Sequence, residues 1–142
     1  MSNQIETALT DRIGNWLVAQ LPAEIVAAVP VVIANRDPVR TRPCIVVYAS
    51  EFKAVRPMKY TGRGKVEVFL FTQIDDTPAA THAAWASAIE PVLLNVAGMR
   101  AAMNGTTFEL HDLIARDSVT APDEARGRET TLTYDGVASA CG

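Results

Sequence analysis

The chain has 142 residues, 49% of them apolar, with 13 Lys and Arg against 16 Asp and Glu for a formal charge of −3 and a pI near 5.3. That length fits one domain, residues 1–142, large enough to hold a core without staples, and the acidic balance argues against a general nucleic-acid binder, whose footprint is a pI above about 9. Two cysteines, Cys44 and Cys141, are too few for a disulfide framework and lack metal-type spacing, so a reducing compartment with Cys44 as a buried neutral thiol is the simpler expectation.

Ile5, Leu9, Ile13, Trp16, Leu17 and Leu21 recur at spacings of three and four, with Glu6, Asp11, Arg12 and Gln20 on the other face. The spacing predicts an amphipathic helix whose single apolar stripe must pack on something. Ser2 or Asn3 is placed to accept from first-turn amides, and Pro22 closes the segment because it cannot donate the next ladder bond. Residues 31–34 and 44–48 are β-branched runs bounded by proline and read as strands. Residues 35–42 form a charged connection between them. Residues 65–72 alternate, with Val66, Val68, Leu70 and Thr72 on one face and Lys65, Glu67, Phe69 and Phe71 on the other, which is the pattern of a strand. Residues 50–64 lack a sustained apolar period and contain Pro57, Gly62 and Gly64. They read as a long hairpin arm or flexible loop, and loops of that length in compact domains are usually functional or disordered.

Thr77 followed by Pro78 predicts a helix entry, a hydroxyl cap and then a ring whose missing amide costs nothing. Asp75 and Asp76 lie beside that positive end. The helix continues through Ala84, Trp85, Ala88, Ile89, Val92 and Leu93, with Pro91 bending it. Residues 95–105 read as a short helical turn and a Gly-containing loop, residues 107–111 as a strand extending to 115 at most, and residues 129–137 as a last strand that Gly136 ends or bulges. The polar stretch 116–128 is expected to be mobile. The order favours an α+β domain: an antiparallel or mixed sheet of four to five strands, with the N-terminal helix and a second helix packed on one face and a long basic β-hairpin arm. Trp16 and Trp85 belong to that packing. The longest apolar stretches fall well short of the ~18 residues a membrane span needs, and the N-terminus lacks a basic signal region, so a soluble, unsecreted protein is expected.

Charge is unevenly placed. Eight of the 13 bases, Arg36, Arg40, Arg42, Lys53, Arg56, Lys59, Arg63 and Lys65, fall within thirty residues and are opposed there only by Asp37 and Glu51. That window carries +6, so the remainder carries −9. A protein with a positive region and a negative body can contact different partners or successive copies of itself. Chemistry is otherwise sparse. His82 reads as an exposed helix position and His111 as a strand-face residue, and no nucleophile signature accompanies either. Metal-type His or Cys spacing is absent, and Asp75-Asp76 supplies too few ligands for a divalent ion. Gly62-Arg63-Gly64 fails as a phosphate loop, because Glu67 stands where the third glycine belongs and a strand follows; a hairpin turn or flexible joint is the expectation. The residues thus point to no enzyme and no cofactor.

The N-terminal helix, the Pro-flanked strands around Arg42-Pro43-Cys44-Ile45-Val46-Val47, the arm leading into Gly64-Lys65-Val66-Glu67-Val68-Phe69-Leu70-Phe71, the His82-Trp85-Ile89 helix and the closing Leu132-Thr133-Tyr134-Asp135-Gly136-Val137 segment together resemble the tail terminator and tail-completion proteins of long-tailed bacteriophages. The resemblance spans nearly the whole chain and rests on element order, size and loop placement. It implies a virion structural protein without catalytic residues, a homo-oligomeric ring, usually of six copies, on the head-proximal end of the tail tube. Such a ring ends tube growth and presents a surface for the neck. Its implied partners are itself, the tail tube protein and a neck or head–tail connector protein, with transient passage of DNA and no membrane. Assembly would take place in the host cytoplasm. Under this resemblance the eight bases are candidates for subunit interfaces or for a lumen that holds DNA loosely. Another neck or head–tail joining component is a close alternative. A small nucleic-acid-binding module using Arg56, Lys59, Arg63 and Lys65 is a third, and would show binding that weakens steeply with salt. An enzyme built on His82, His111 or Cys44 would need a pocket joining two of them.

Overall fold

In the computed structural model, which describes residues 2–33, 43–55, 58–123 and 127–140, the three-and-four spacing becomes α1 (Ser2–Gln20). Ile5, Leu9, Ile13, Leu17 and Leu21 are all buried. Leu21 still donates to the Leu17 carbonyl (2.9 Å), after which Pro22 turns the chain into α2 (Ala23–Ala28), a short helix that the sequence reading did not anticipate. The cap expected from Ser2 or Asn3 falls on side chains outside those described.

Five strands follow from the β-branched and alternating segments: β1 (Val31–Ile33), β2 (Cys44–Val55), β3 (Met58–Gln73), β4 (Phe108–Asp123) and β5 (Gly127–Ala140). They form one sheet in the order β1-β2-β3-β5-β4. β1 is parallel to β2 and the other neighbours are antiparallel, so the mixed α+β architecture is as expected. One face, carrying Ile45, Val47, Val66, Val68, Leu70, Leu110, Leu132 and Tyr134, packs with α1 and with Ile89 and Leu93 of α3 (Ala79–Leu94) and Met99 and Met103 of α4 (Val96–Met103). Among the described residues, no helix packs on the opposite face.

Two long hairpins stand out, the first expected as a hairpin arm and the second where a mobile stretch was expected. The 50–64 segment is the arm of the β2–β3 hairpin, with Val55 opposite Met58. The 116–128 stretch, expected to be mobile, extends β4 to Asp123 and starts β5 at Gly127. Its polarity follows from geometry. β4 is an edge strand, and residues 114–122 are exposed, so no apolar alternation was needed to form it. The other corrections are local. Gly136 neither ends nor bulges β5, which runs to Ala140; the irregularities lie on β4, between Leu110 and Asp112 and between Ala115 and Asp117. The N-cap of α3 is Pro78, with no side-chain cap, while Thr77 is buried and its carbonyl accepts from Arg128 Nη1 (2.6 Å).

Gly62 and Gly64 are strand residues, not a turn. β2 places two residues, Glu51 and Phe52, opposite Gly64, between the pairs Ser50–Lys65 and Lys53–Arg63. This bulge turns Phe52 into the core, where it is 3% exposed, and its ring occupies the space that side chains at positions 64 and 136 would need. Glu51 takes the strain, with φ of 59°, a left-handed conformation that costs a non-glycine residue about 1–3 kcal/mol. Glu51→Gly is therefore expected to raise stability by about 0.5–1 kcal/mol, read as a higher urea midpoint. A lower midpoint would show that Glu51 holds the bulge through its side chain.

The helical layer is pinned by polar contacts at its margins. Thr10 Oγ1 donates to the Glu6 carbonyl (2.7 Å) and accepts the Ala49 amide of β2 (3.1 Å). Trp16, half-buried as is Trp85, donates Nε1–H to the Val92 carbonyl (3.0 Å). Asn104 closes the β4 edge as a neighbouring strand would: its Oδ1 accepts the Leu110 amide (2.7 Å) and its Nδ2 donates to the Leu110 carbonyl (3.1 Å). Arg12 stacks its guanidinium over Phe108, 4.7 Å from the ring centroid.

Candidate assembly surface

Strand alternation decides what faces away from the helices. On β3 these are Arg63, Lys65, Glu67, Phe69 and Phe71, and the register brings Lys53, Ser50, Tyr48, Val46 and Cys44 of β2 beside them in turn. The resulting face is zoned. Towards the 56–57 connection it is charged, and towards the other end it is apolar, with Phe69 and Phe71 stacked at 5.7 Å between centroids and Val119 half exposed.

In the charged zone an open cleft of about 520 Å³ is lined by Arg63, Lys65 and Arg116 together with Glu51 and Asp135. Two pairs neutralise part of it. Arg116 Nη1 donates to Asp135 Oδ2 at 2.8 Å, and Lys65 Nζ lies 3.8 Å from Glu67 Oε2. Lys53 and Arg63 are both exposed and sit directly opposite one another in the ladder, and among the described residues neither forms an ion pair. Like charges placed directly opposite on a sheet destabilise it by a fraction of a kcal/mol.

Of the eight clustered bases, Lys53, Arg63 and Lys65 are thus brought together on one face. Lys59 lies within β3, although its side chain is outside those described, and Arg36, Arg40, Arg42 and Arg56 lie outside the described residues. The acidic counterpart escaped the sequence reading. Asp112 and Asp117 are exposed on the same helix-free face at the β4 edge, opposite Val137 and Thr133. Their five-residue separation defeats period-two reading, because a bulge intervenes. The bulges do leave a trace: each Asp accepts the next residue's amide through Oδ1, Leu113 at 2.9 Å and Ser118 at 2.8 Å, the local bonding for which Asp is favoured at irregular backbone.

His82 is buried, not exposed. Its Nδ1 meets Thr72 Oγ1 and its Nε2 meets Thr130 Oγ1, both at 2.7 Å, and Thr130 Oγ1 lies 2.8 Å from Thr120 Oγ1. Burial, with the nearby Arg128 charge, pushes its pKa below the usual histidine value. His111 bonds Ser139 Oγ through Nε2 (2.7 Å). Thr130 and Ser139 are nine positions apart on β5, roughly 30 Å in an extended strand, so the two imidazoles share no site. Cys44 is buried but lies on the sheet face opposite Thr72. No group of His, Cys, Asp and Glu among the described residues could hold a metal ion, and no described helix is long and apolar enough to cross a membrane.

No protein-family model matches this chain, and no curated protein matches it in sequence. Among solved structures, a chain from the virion of a native gene transfer agent particle has a similar fold, with a TM-score of 0.63 and 17% identity over 93% of this chain and 95% of that one. At that identity the likeness is one of fold.

Proposed function

We propose that this chain is a structural protein of a phage-like virion, forming a ring that caps the head-proximal end of the tail tube, ends its elongation and provides the attachment surface for the neck. The observation that carries this reading is the end-to-end likeness of the fold to a virion protein. The helix-free face adds physical support. Most of a ring subunit's partners are protein surfaces, and here a sheet face offers a charged zone and an apolar zone on which no described helix packs.

The ring reading predicts homo-oligomers of six copies, with the tail tube protein and a connector as further partners and DNA passing through the lumen. Purified protein added to growing tail tubes is expected to cap one end and fix tube length, as seen by negative-stain microscopy. Tubes that stay bare and continue to lengthen count against the proposal. Because the matching chain is known by its particle rather than its position, another neck or head–tail joining component is the second reading. Binding to the connector in place of the tube would select it.

A further inference from the structure

We infer that the subunit contact joins the exposed Lys53–Arg63 pair of one copy to Asp112 of a second copy of this chain, with Asp117 extending the acidic edge. The inference rests on the ring reading and names the surface that the ring would use.

Three observations lead to it. First, two cations stand directly opposite each other on β2 and β3 with no described acid paired to either. That repulsion is relieved when an anionic surface docks. Secondly, the β4 edge presents Asp112 and Asp117 exposed, and neither engages a described base. The third is register. Lys53 pairs with Arg63, Arg63 with Val137 and Val137 with Asp112, so these four residues form one row across the sheet. Lys53 lies on β2 beyond Val47, the last residue paired to β1, and Asp112 on the edge strand β4 at the same height, about 15 Å apart by the usual strand spacing, while Asp117, in the row of Thr133 and Glu67, lies about 13 Å further along the strands. Copies set side by side, related by rotation about an axis along the strands, therefore bring Asp112 of one towards Lys53 of the next with no vertical shift. This contact is heterologous and so closes into a ring or continues as a helix.

Side chains rather than a shared ladder must make the contact. On the outer edge of β2 the Ala49 amide is already taken by Thr10, and the Phe52 amide faces Glu6 Oε2 at 3.5 Å. On β4, Asn104 occupies Leu110, while Asp112 and Asp117 hold the Leu113 and Ser118 amides. Edge strands protected in this way resist strand addition. Exposed Ile114, 55% accessible between the two aspartates in sequence, supplies apolar area beside the charges.

A charge swap tests the inference, with oligomeric state read by mass photometry and folding by thermal melts. K53E/R63E and D112K/D117K are each expected to need at least tenfold more protein than the wild type to assemble. Mixed in equal amounts they should assemble again, alternating around the ring, and the quadruple variant should assemble alone. D112N/D117N keeps both Oδ1 acceptors while removing the charge, so it serves if the lysine pair fails to fold, and it too should weaken assembly. Assembly of the single-side variants at the wild-type concentration overturns the inference, as does failure of both the mixture and the folded quadruple variant to recover. Retention of duplex DNA by the wild type but not by K53E/R63E, with oligomeric state unchanged, would assign the basic pair to nucleic acid instead. Charge-dependent assembly without tube capping keeps this contact and rejects the terminator reading. Capping unaffected by the swaps rejects the contact alone, and a wild type that is monomeric at every concentration, alone and with tubes, rejects both.

Discussion

Gly64→Ala is expected to lower unfolding stability by about 3 kcal/mol, because inserting a methyl group into a packed site forces backbone to move. An added Cβ would lie 2.5 Å from Phe52 Cδ1, 2.6 Å from Cγ and 2.8 Å from Phe52 Cα. A flexible side chain could swing away from the first two, but the Cα belongs to the bulged strand. The ring has little room to retreat, since a Cβ at Gly136 would already stand 3.3 Å from its Cζ. For a domain of this size the loss corresponds to a fall in Tm of roughly 10 °C. Gly62→Ala is the control. Its nearest obstacle is the end of the Ile5 side chain at 3.0 Å, so the cost should stay near 1 kcal/mol. Phe52→Ala should itself cost about 3–5 kcal/mol, and the double variant with Gly64→Ala should lose less than the sum, since the ring clash is gone. Full additivity would place the strain elsewhere than between these two residues.

His82→Ala carries the second large effect, about 3–4 kcal/mol. It opens a cavity where a buried ring stood and takes a partner from Thr72 and from Thr130, each buried and each 2.7 Å from an imidazole nitrogen. Each threonine then loses one of its hydrogen bonds, worth about 0.5–1.5 kcal/mol, and the rest of the cost is the cavity. The same residue sets a pH dependence. Its folded pKa is lowered by burial and then by Arg128, so the unfolded chain, with a histidine near 6.5, binds the proton more readily. Its contribution is fully present above about pH 6.5 and is lost as pH falls from there towards the folded pKa. Urea midpoints measured from pH 7.5 downwards should therefore decline below about 6.5 in the wild type, and that part of the decline should vanish in His82→Ala. An identical slope in both proteins would mean that the imidazole is not buried neutral.

His82 also shows where reading the sequence reached its limit. The helix that carries it was legible, since Ala84, Trp85, Ile89 and Leu93 fix a 3.6-residue period. Its burial was not, because the partners that make a polar ring tolerable in the core, Thr72 and Thr130, stand 10 and 48 residues away in the chain. Polar burial is decided by whether hydrogen-bond partners arrive in space.

What the sequence determined by itself was local and periodic: α1 from its apolar stripe, β3 from its alternation, β1 and β2 from β-branched runs, and thereby the α+β class. It also located a basic window, because charge can be counted without coordinates. Residues 50–64 read from the sequence as a long hairpin arm or flexible loop, and the β2–β3 register makes them the arm; only the tertiary structure decided that the 116–128 stretch belongs to paired strands. A strand at an edge, or one holding a bulge over glycines, takes its pairing from neighbours rather than from an apolar pattern of its own. The pairing of Lys53 with Arg63, and the placing of Asp112 level with them across four strands, likewise required the register. Residues separated by as many as 84 positions share that row because three antiparallel ladders align them, and no property of any one segment alone encodes their common height.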